Sequence, residues 1–386
     1  MTHRQKIYLI SPAHPLRGGI ASSSERLAQE LTVHGHDVVL ISYSLQYPGF
    51  LFPGKTQYTK DPAPAGVRIR TLINAVNPLN WLRVGRILAR EKPDLIIVRY
   101  WLPLMGPCLG TILRFVRLNG HTRIIALADN IIPHEKRPGD ALFTRYFCGA
   151  ADAFIAMSKT VATDIGLFAP GKPVEYIPHP LYDNYGDKVP REAALQQLQL
   201  DGDTRYLLFF GFIRDYKGLD LLLDAMAEPQ LAEFNLKLIV AGEFYGNEAA
   251  YQQRIDRLGI RDKLILHTDF IPHEAVKYYF GAADLVVQPY KSATQSGISQ
   301  LAYHFEKPMV VTRVGGLPEI VPHGEAGYVV AVDARDIAAA IADFYRNQRG
   351  DQLQAGVAKE KRRFSWENMA EGIYRLYVKL LAAKKR

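Results

Sequence analysis

Two cations three residues apart stand in Gly211-Phe212-Ile213-Arg214-Asp215-Tyr216-Lys217-Gly218. An apolar run, 206–210, leads into them and a helical pattern, 219–227, follows. Arginine offers a planar fork and lysine a compact charge, so Arg214 and Lys217 could clamp a diphosphate at the mouth of a parallel sheet. A lone R-x-x-K is usually a solvated loop; the strand-loop-helix setting favours the clamp. A second candidate is Ser292-Ala293-Thr294-Gln295-Ser296-Gly297-Ile298, between the run 284–289 and a helical stretch 299–305. Small polar residues opening a helix expose N–H donors toward an anion, with an ordinary N-cap as the plain alternative. Gln295, Ser296 and Gly297 are the residues to watch.

The first half offers two more. Pro15-Leu16-Arg17-Gly18-Gly19-Ile20-Ala21-Ser22 follows the first apolar run and opens a helix. Gly18 and Gly19 let the backbone approach a ligand beside free N–H groups; the competing reading is a tight turn. Asp129-Asn130-Ile131-Ile132-Pro133-His134-Glu135 gathers carboxylates and a histidine at the end of a strand. His134 could orient a hydroxyl or shuttle a proton, or simply lie on the surface. The spacing of a dinucleotide fingerprint, a P-loop, a zinc-protease helix or a nucleophile elbow is not found. Asp201-Gly202-Asp203 reads as a turn and not as a metal site, and nothing else indicates a metal.

The elements that must hold these residues are short, continuous apolar runs alternating with helical patterns. Runs at 6–11, 37–43, 94–99, 123–128 and 153–157 are strands buried on both faces, as in a parallel sheet. Pro178, Pro180 and Pro190 punctuate a polar stretch, after which runs recur at 206–210, 237–241, 264–267, 285–288, 309–312 and 327–330. The reading is two doubly wound α/β domains, 1–188 and 189–364, with a last helix over 365–386. Ligands of such folds bind beyond the carboxyl ends of the strands, and two facing domains would share a cleft.

The chain has 386 residues, 48% of them hydrophobic, enough for two packed cores and too many for a disordered chain. Cys108 and Cys148 are its two cysteines, which fits a reducing compartment. There is no signal-peptide core and no transmembrane run, so a cytoplasmic location is expected. The net charge of +8 is unevenly spread: residues 1–185 hold 21 Lys/Arg against 13 Asp/Glu, residues 186–358 hold 17 against 23, and residues 359–386 hold 9 against 3. Trp81, Arg83, Arg86 and Arg90 share one helical stretch, and 47–52 is an apolar loop. A basic surface with exposed aromatics would suit an anionic leaflet on the inner face of the membrane or a lipid-phosphate acceptor, against a solvated helix face. Nucleic acid is not expected as a partner, since the aromatics do not interleave with one basic patch.

Taken in order, these pieces resemble the GT-B glycosyltransferases, and within them the retaining family 4. The resemblance covers nearly the whole chain. It rests on Gly18-Gly19, on Ala151-Asp152-Ala153-Phe154-Ile155-Ala156-Met157-Ser158 and on Tyr176-Ile177-Pro178-His179-Pro180. In the second half it rests on Gly211 to Gly218, Ala241-Gly242-Glu243, and Lys307-Pro308 to Glu319. It implies two Rossmann-like domains facing across a cleft, with the last helix returning to the first. A nucleotide-sugar donor would lie on the second domain, near Gly242 and the basic pair, and a glycan or lipid-linked acceptor on the first. No cofactor and no metal are implied. Arg214 stands two positions later than the family's usual arginine, while Lys217 is in register. The family's paired glutamates fall at Ala293 and Leu301, and its catalytic-site histidine falls at Asp129; either Asp129 or His134 could take that role. A sugar-nucleotide epimerase of the same fold, or a non-catalytic nucleotide-sugar or polyanion binder, are the alternatives.

Overall fold

The computed structural model describes residues 4–47, 57–59, 62–133, 137–293 and 296–383. His134 and Gln295 lie outside them, as does most of the apolar loop 47–52. The chain divides into two compact units: 1–178 with 366–386, and 179–365. Residues 179–188, read from sequence with the first half, cluster with the second unit.

The first unit contains β1 (Lys6–Ile10), β2 (Asp37–Leu45), β3 (Ile69–Asn74), β4 (Leu95–Tyr100), β5 (Arg123–Ala128), β6 (Ala153–Ala156) and β7 (Val174–Tyr176). They form one parallel sheet in the order β3-β2-β1-β4-β5-β6-β7. Residues alternate across it: Ile96 and Val98 join a core with Leu109 and Ile112 of the helix Gly106–Arg117. Leu95 and Ile97 join Leu27 and Leu31 of the helix Gly19–Val33. The helix Trp366–Ala383 packs on this second face, placing Met369, Ile373, Leu376 and Tyr377 at helical spacing into the same core. Each such burial contributes about 1.5–3 kcal/mol. Its seam completes the first unit although it comes last in the chain.

The second unit contains β8 (Arg205–Phe210), β9 (Leu236–Ala241), β10 (Leu264–His267), β11 (Leu285–Gln288), β12 (Met309–Thr312) and β13 (Gly327–Val330). Their order is β10-β9-β8-β11-β12-β13, again all parallel. Leu208, Val286 and Val311 face one core; Leu207, Leu285 and Val310 face the other. Both sheets are thus covered on two faces, as continuous apolar runs require. Two strands escape the sequence reading, β3 and β7, and both lie at sheet edges. An edge strand is partly exposed and need not be a continuous apolar run. Among the described residues no helix is long and apolar enough to cross a membrane.

Candidate functional site

In the second unit the predicted residues gather beyond the carboxyl ends of β8, β9 and β11. The loop after β8 is pinned to the loop after β9: Ile213 N donates to Glu243 O at 2.8 Å and Tyr245 N to Ile213 O at 2.8 Å. Gly242 fits under this junction with φ +141°, and a Cβ there would lie 2.3 Å from the Gly211 carbonyl oxygen. A side chain at this position would break the close packing of the two backbones. Gly218 has φ +69°, and a Cβ there would lie 1.9 Å from the Pro289 carbonyl oxygen. Glycine is therefore required both by conformation and by space, and it launches the helix Leu219–Ala227.

This turn delivers Lys217 inward. Its Nζ donates to the Tyr290 hydroxyl at 3.0 Å, and that oxygen lies 3.1 Å from Ser296 Oγ. Ser296 Oγ in turn accepts from Ile298 N at 3.2 Å, capping the helix Gly297–His304. Lys217 and the start of this helix are thus brought together through Tyr290, which sequence reasoning missed. Burial opposes the charge of Lys217, as does Arg214, but Tyr290 and Tyr216 outweigh them and hold the amine above its ordinary range. Gly297 lies against Tyr182, whose Cε2 would be 2.6 Å from an added Cβ. Arg214 takes a different course: half-exposed, its guanidinium carbon lies 5.2 Å from the Tyr245 ring centroid. That ring stacks on Phe212 at 4.4 Å. The site therefore offers one tethered ammonium, one guanidinium on an aromatic face and one helix N-terminus, a donor set for phosphate oxygens.

The family's two glutamate positions carry no charge here. Ala293 and Leu301 are both buried in an apolar core. Asp201 Oδ1 accepts from Asp203 N at 2.9 Å, so Asp201-Gly202-Asp203 forms a turn. Among the described residues no group of three or more His, Cys, Asp or Glu is placed to hold a metal ion.

In the first unit, Gly18 (φ +121°) and Gly19 open the helix Gly19–Val33 and are exposed. Asp129 follows β5 and is 6% exposed. Arg99 of β4, 2% exposed, donates to it from Nε at 2.8 Å and from Nη2 at 2.7 Å. Arg99 Nη1 also reaches Ser23 Oγ at 2.5 Å and Ser24 Oγ at 3.2 Å, in the helix that Gly19 opens. Asp129 is therefore tied through Arg99 to the helix Gly19–Val33. Both partners come from neighbouring strand ends, a pairing across 30 residues that no local motif announces. Trp81 is half-buried and donates from Nε1 to Asn74 O at 2.9 Å, so it does not present an exposed aromatic face. Cys108 and Cys148 are buried and unbridged, and burial pushes both thiols up to about 12.

Residues 17–182 match the family profile Glycosyltransferase Family 4, and residues 204–347 match Glycosyl transferases group 1. The chain is 31% identical over 269 residues to D-inositol 3-phosphate glycosyltransferase of Segniliparus rotundus, covering 68% of this chain and 54% of that relative. It is 25% identical over 386 residues to an uncharacterized glycosyltransferase of Methanocaldococcus jannaschii, covering 97% of this chain and 98% of the relative. Among solved structures, sucrose-phosphate synthase from Thermosynechococcus elongatus superposes with a TM-score of 0.77 at 20% identity, over 98% of this chain and 100% of that one. Anabaena HepE in complex with UDP superposes with a TM-score of 0.72 at 17% identity, over 96% and 98% of the two chains.

Proposed function

Because the chain belongs to the family 4, group 1 glycosyltransferases and has their GT-B fold, we propose that it moves a sugar from a nucleoside-diphosphate sugar to a glycan or lipid-linked acceptor, with retention at the anomeric carbon. The observation that carries this reading is the Lys217–Tyr290–Ser296 chain, which sets an ammonium beside a helix start at the end of a parallel sheet. Breaking the sugar–phosphate bond develops negative charge on the diphosphate. Arg214, Lys217 and the N–H groups at Ser296-Gly297 would meet that charge with groups already in place, without a metal. The leaving phosphate oxygen would then take the acceptor's proton on the face it vacates, so the bond to the new oxygen forms on the same side. Asp129, held by Arg99, would orient the acceptor hydroxyl. That HepE was solved with UDP and with UDP-glucose makes the uridine nucleotides the first donors to try.

An anionic membrane surface on the cytoplasmic side is the proposed setting. The first unit holds 26 Lys/Arg against 14 Asp/Glu, a net of +12, whereas the second holds 21 against 25, a net of −4. Leu79, Arg83, Arg86 and Arg90 form one exposed stripe along the helix Pro78–Glu91. Exposed Leu142 and Arg145 lie on the helix Asp140–Ala150, in the same row of packed helices. A stripe of this kind suits a lipid headgroup layer.

The test begins by screening nucleotide sugars for thermal stabilisation, then assays the best with lipid-linked acceptors. Arg214→Ala and Lys217→Ala should each lower kcat by about 10²–10³-fold with circular dichroism unchanged. Near wild-type rates in both variants overturn the mechanism. Donor conversion without acceptor would make the protein an epimerase, and tight donor binding with no turnover a binding protein.

A further inference from the structure

A groove of about 840 Å³ opens in the second unit, away from the loops just described. Its lining includes Arg205, the first residue of β8, Asp284, just before β11, and Lys307 and Pro308, just before β12. It therefore lies at the amino ends of the strands. The length of β8, roughly 17 Å of extended chain, separates it from the 211–218 loop.

Its charges are unequally engaged. Asp284 is spent: Oδ1 lies 3.4 Å from Arg191 Nε, and Oδ2 accepts from Tyr206 N at 2.8 Å and from the Tyr345 hydroxyl at 3.4 Å. Lys188 pairs with Glu306. Arg205 is exposed and stacked, its guanidinium carbon 4.9 Å from the Tyr345 ring centroid and 5.5 Å from that of Phe234. Among the described residues it makes no ion pair. The Lys307 Nζ has a single long hydrogen bond, 3.3 Å to Gly281 O. Burial brings its amine down to about 8; Asp284 opposes the shift, and Arg191 and Lys188 add to it. Two cations thus face one groove with their donors unfilled, beside the apolar surfaces of Pro308, Phe344 and Tyr345.

We propose that this groove is a second ligand site, for a phosphate monoester with a small apolar body. Arg205 and Lys307 hold the phosphate, and the apolar body lies on Pro308, Phe344 and Tyr345. The bound anion favours the ammonium form of Lys307, so affinity falls as pH rises through about 8. Asp284, Arg191 and Lys188 are the other charges that act on this amine.

The full chain treated with pyridoxal 5′-phosphate supplies the test. The Lys307 amine and the aldehyde lose water to form an imine, borohydride delivers hydride to the imine carbon, and peptide mass spectrometry maps the adduct. Lys307 should be labelled, with phenyl phosphate protecting it and UDP leaving it unprotected. Arg205→Gln should slow labelling about tenfold, as loss of one charge-assisted hydrogen bond implies. Inorganic phosphate should protect far less well than phenyl phosphate. The proposal fails if Lys307 stays unlabelled, if UDP protects it, if Arg205→Gln changes nothing, or if the two phosphates protect equally.

Discussion

Replacing Arg99 by methionine isolates the buried pair of the first unit. The change keeps most of the side-chain volume and leaves Asp129, 6% exposed, without its two guanidinium hydrogen bonds of 2.8 and 2.7 Å. Ser23 and Ser24 lose the same partner. Removing one member of a buried pair costs about 3–5 kcal/mol, chiefly through the charge left behind. In a unit of this size each 1 kcal/mol lowers Tm by about 2–4 °C, so a fall of about 6–20 °C is expected. Calorimetry should resolve it as a shift in one transition, with the transition of the second unit unmoved. The double change Arg99→Met/Asp129→Leu removes both charges and should recover most of the loss. A shift below about 2 °C in the single variant, or a double variant no more stable than the single, would refute the reasoning, since the expected cost is several times larger. Activity of the double variant separates two roles for Asp129. A stable but inactive protein places its carboxylate on the acceptor; a stable and active one leaves it a structural tie.

Gly218→Ala should cost about 1–3 kcal/mol for left-handed backbone alone, beyond the contact 1.9 Å from the Pro289 oxygen, and donor-induced thermal stabilisation should vanish with it. Retained donor binding would mean that the turn does not set Lys217. Sedimentation with anionic vesicles should capture the protein at low salt and release it at high salt, where a Debye length of about 3 Å at 1 M screens the basic stripe. Arg83→Glu/Arg86→Glu should abolish capture, and salt-insensitive sedimentation would exclude an electrostatic mode.

The sequence made the sheets legible because parallel strands covered on both faces must be apolar along their length, as 124–128 and 309–311 are. It made the 211–218 turn legible because two glycines, Gly211 and Gly218, stand between an apolar run and a helical pattern. What stayed hidden depends on partners far along the chain. Arg99 is one charge in a strand until Asp129 lies beside it. Tyr290 is one tyrosine among 21 until its hydroxyl links Lys217 to Ser296. Trp81 was misplaced for the same reason, since its acceptor is a backbone oxygen on β3, an edge strand the apolar pattern did not reveal.

The last helix has a consequence for synthesis. Residues 179–365 form a unit that is contiguous in the chain and can close as soon as it leaves the ribosome. The first unit is made earlier yet lacks Met369, Ile373, Leu376 and Tyr377 until the end. At about 5–20 residues per second, translating the intervening unit leaves one sheet face uncovered for about 10–40 s. During that interval Leu27, Leu31, Leu95 and Ile97 border an open apolar seam. The order of emergence is thus the reverse of the order of completion, and the seam is where a holding chaperone would find the nascent chain.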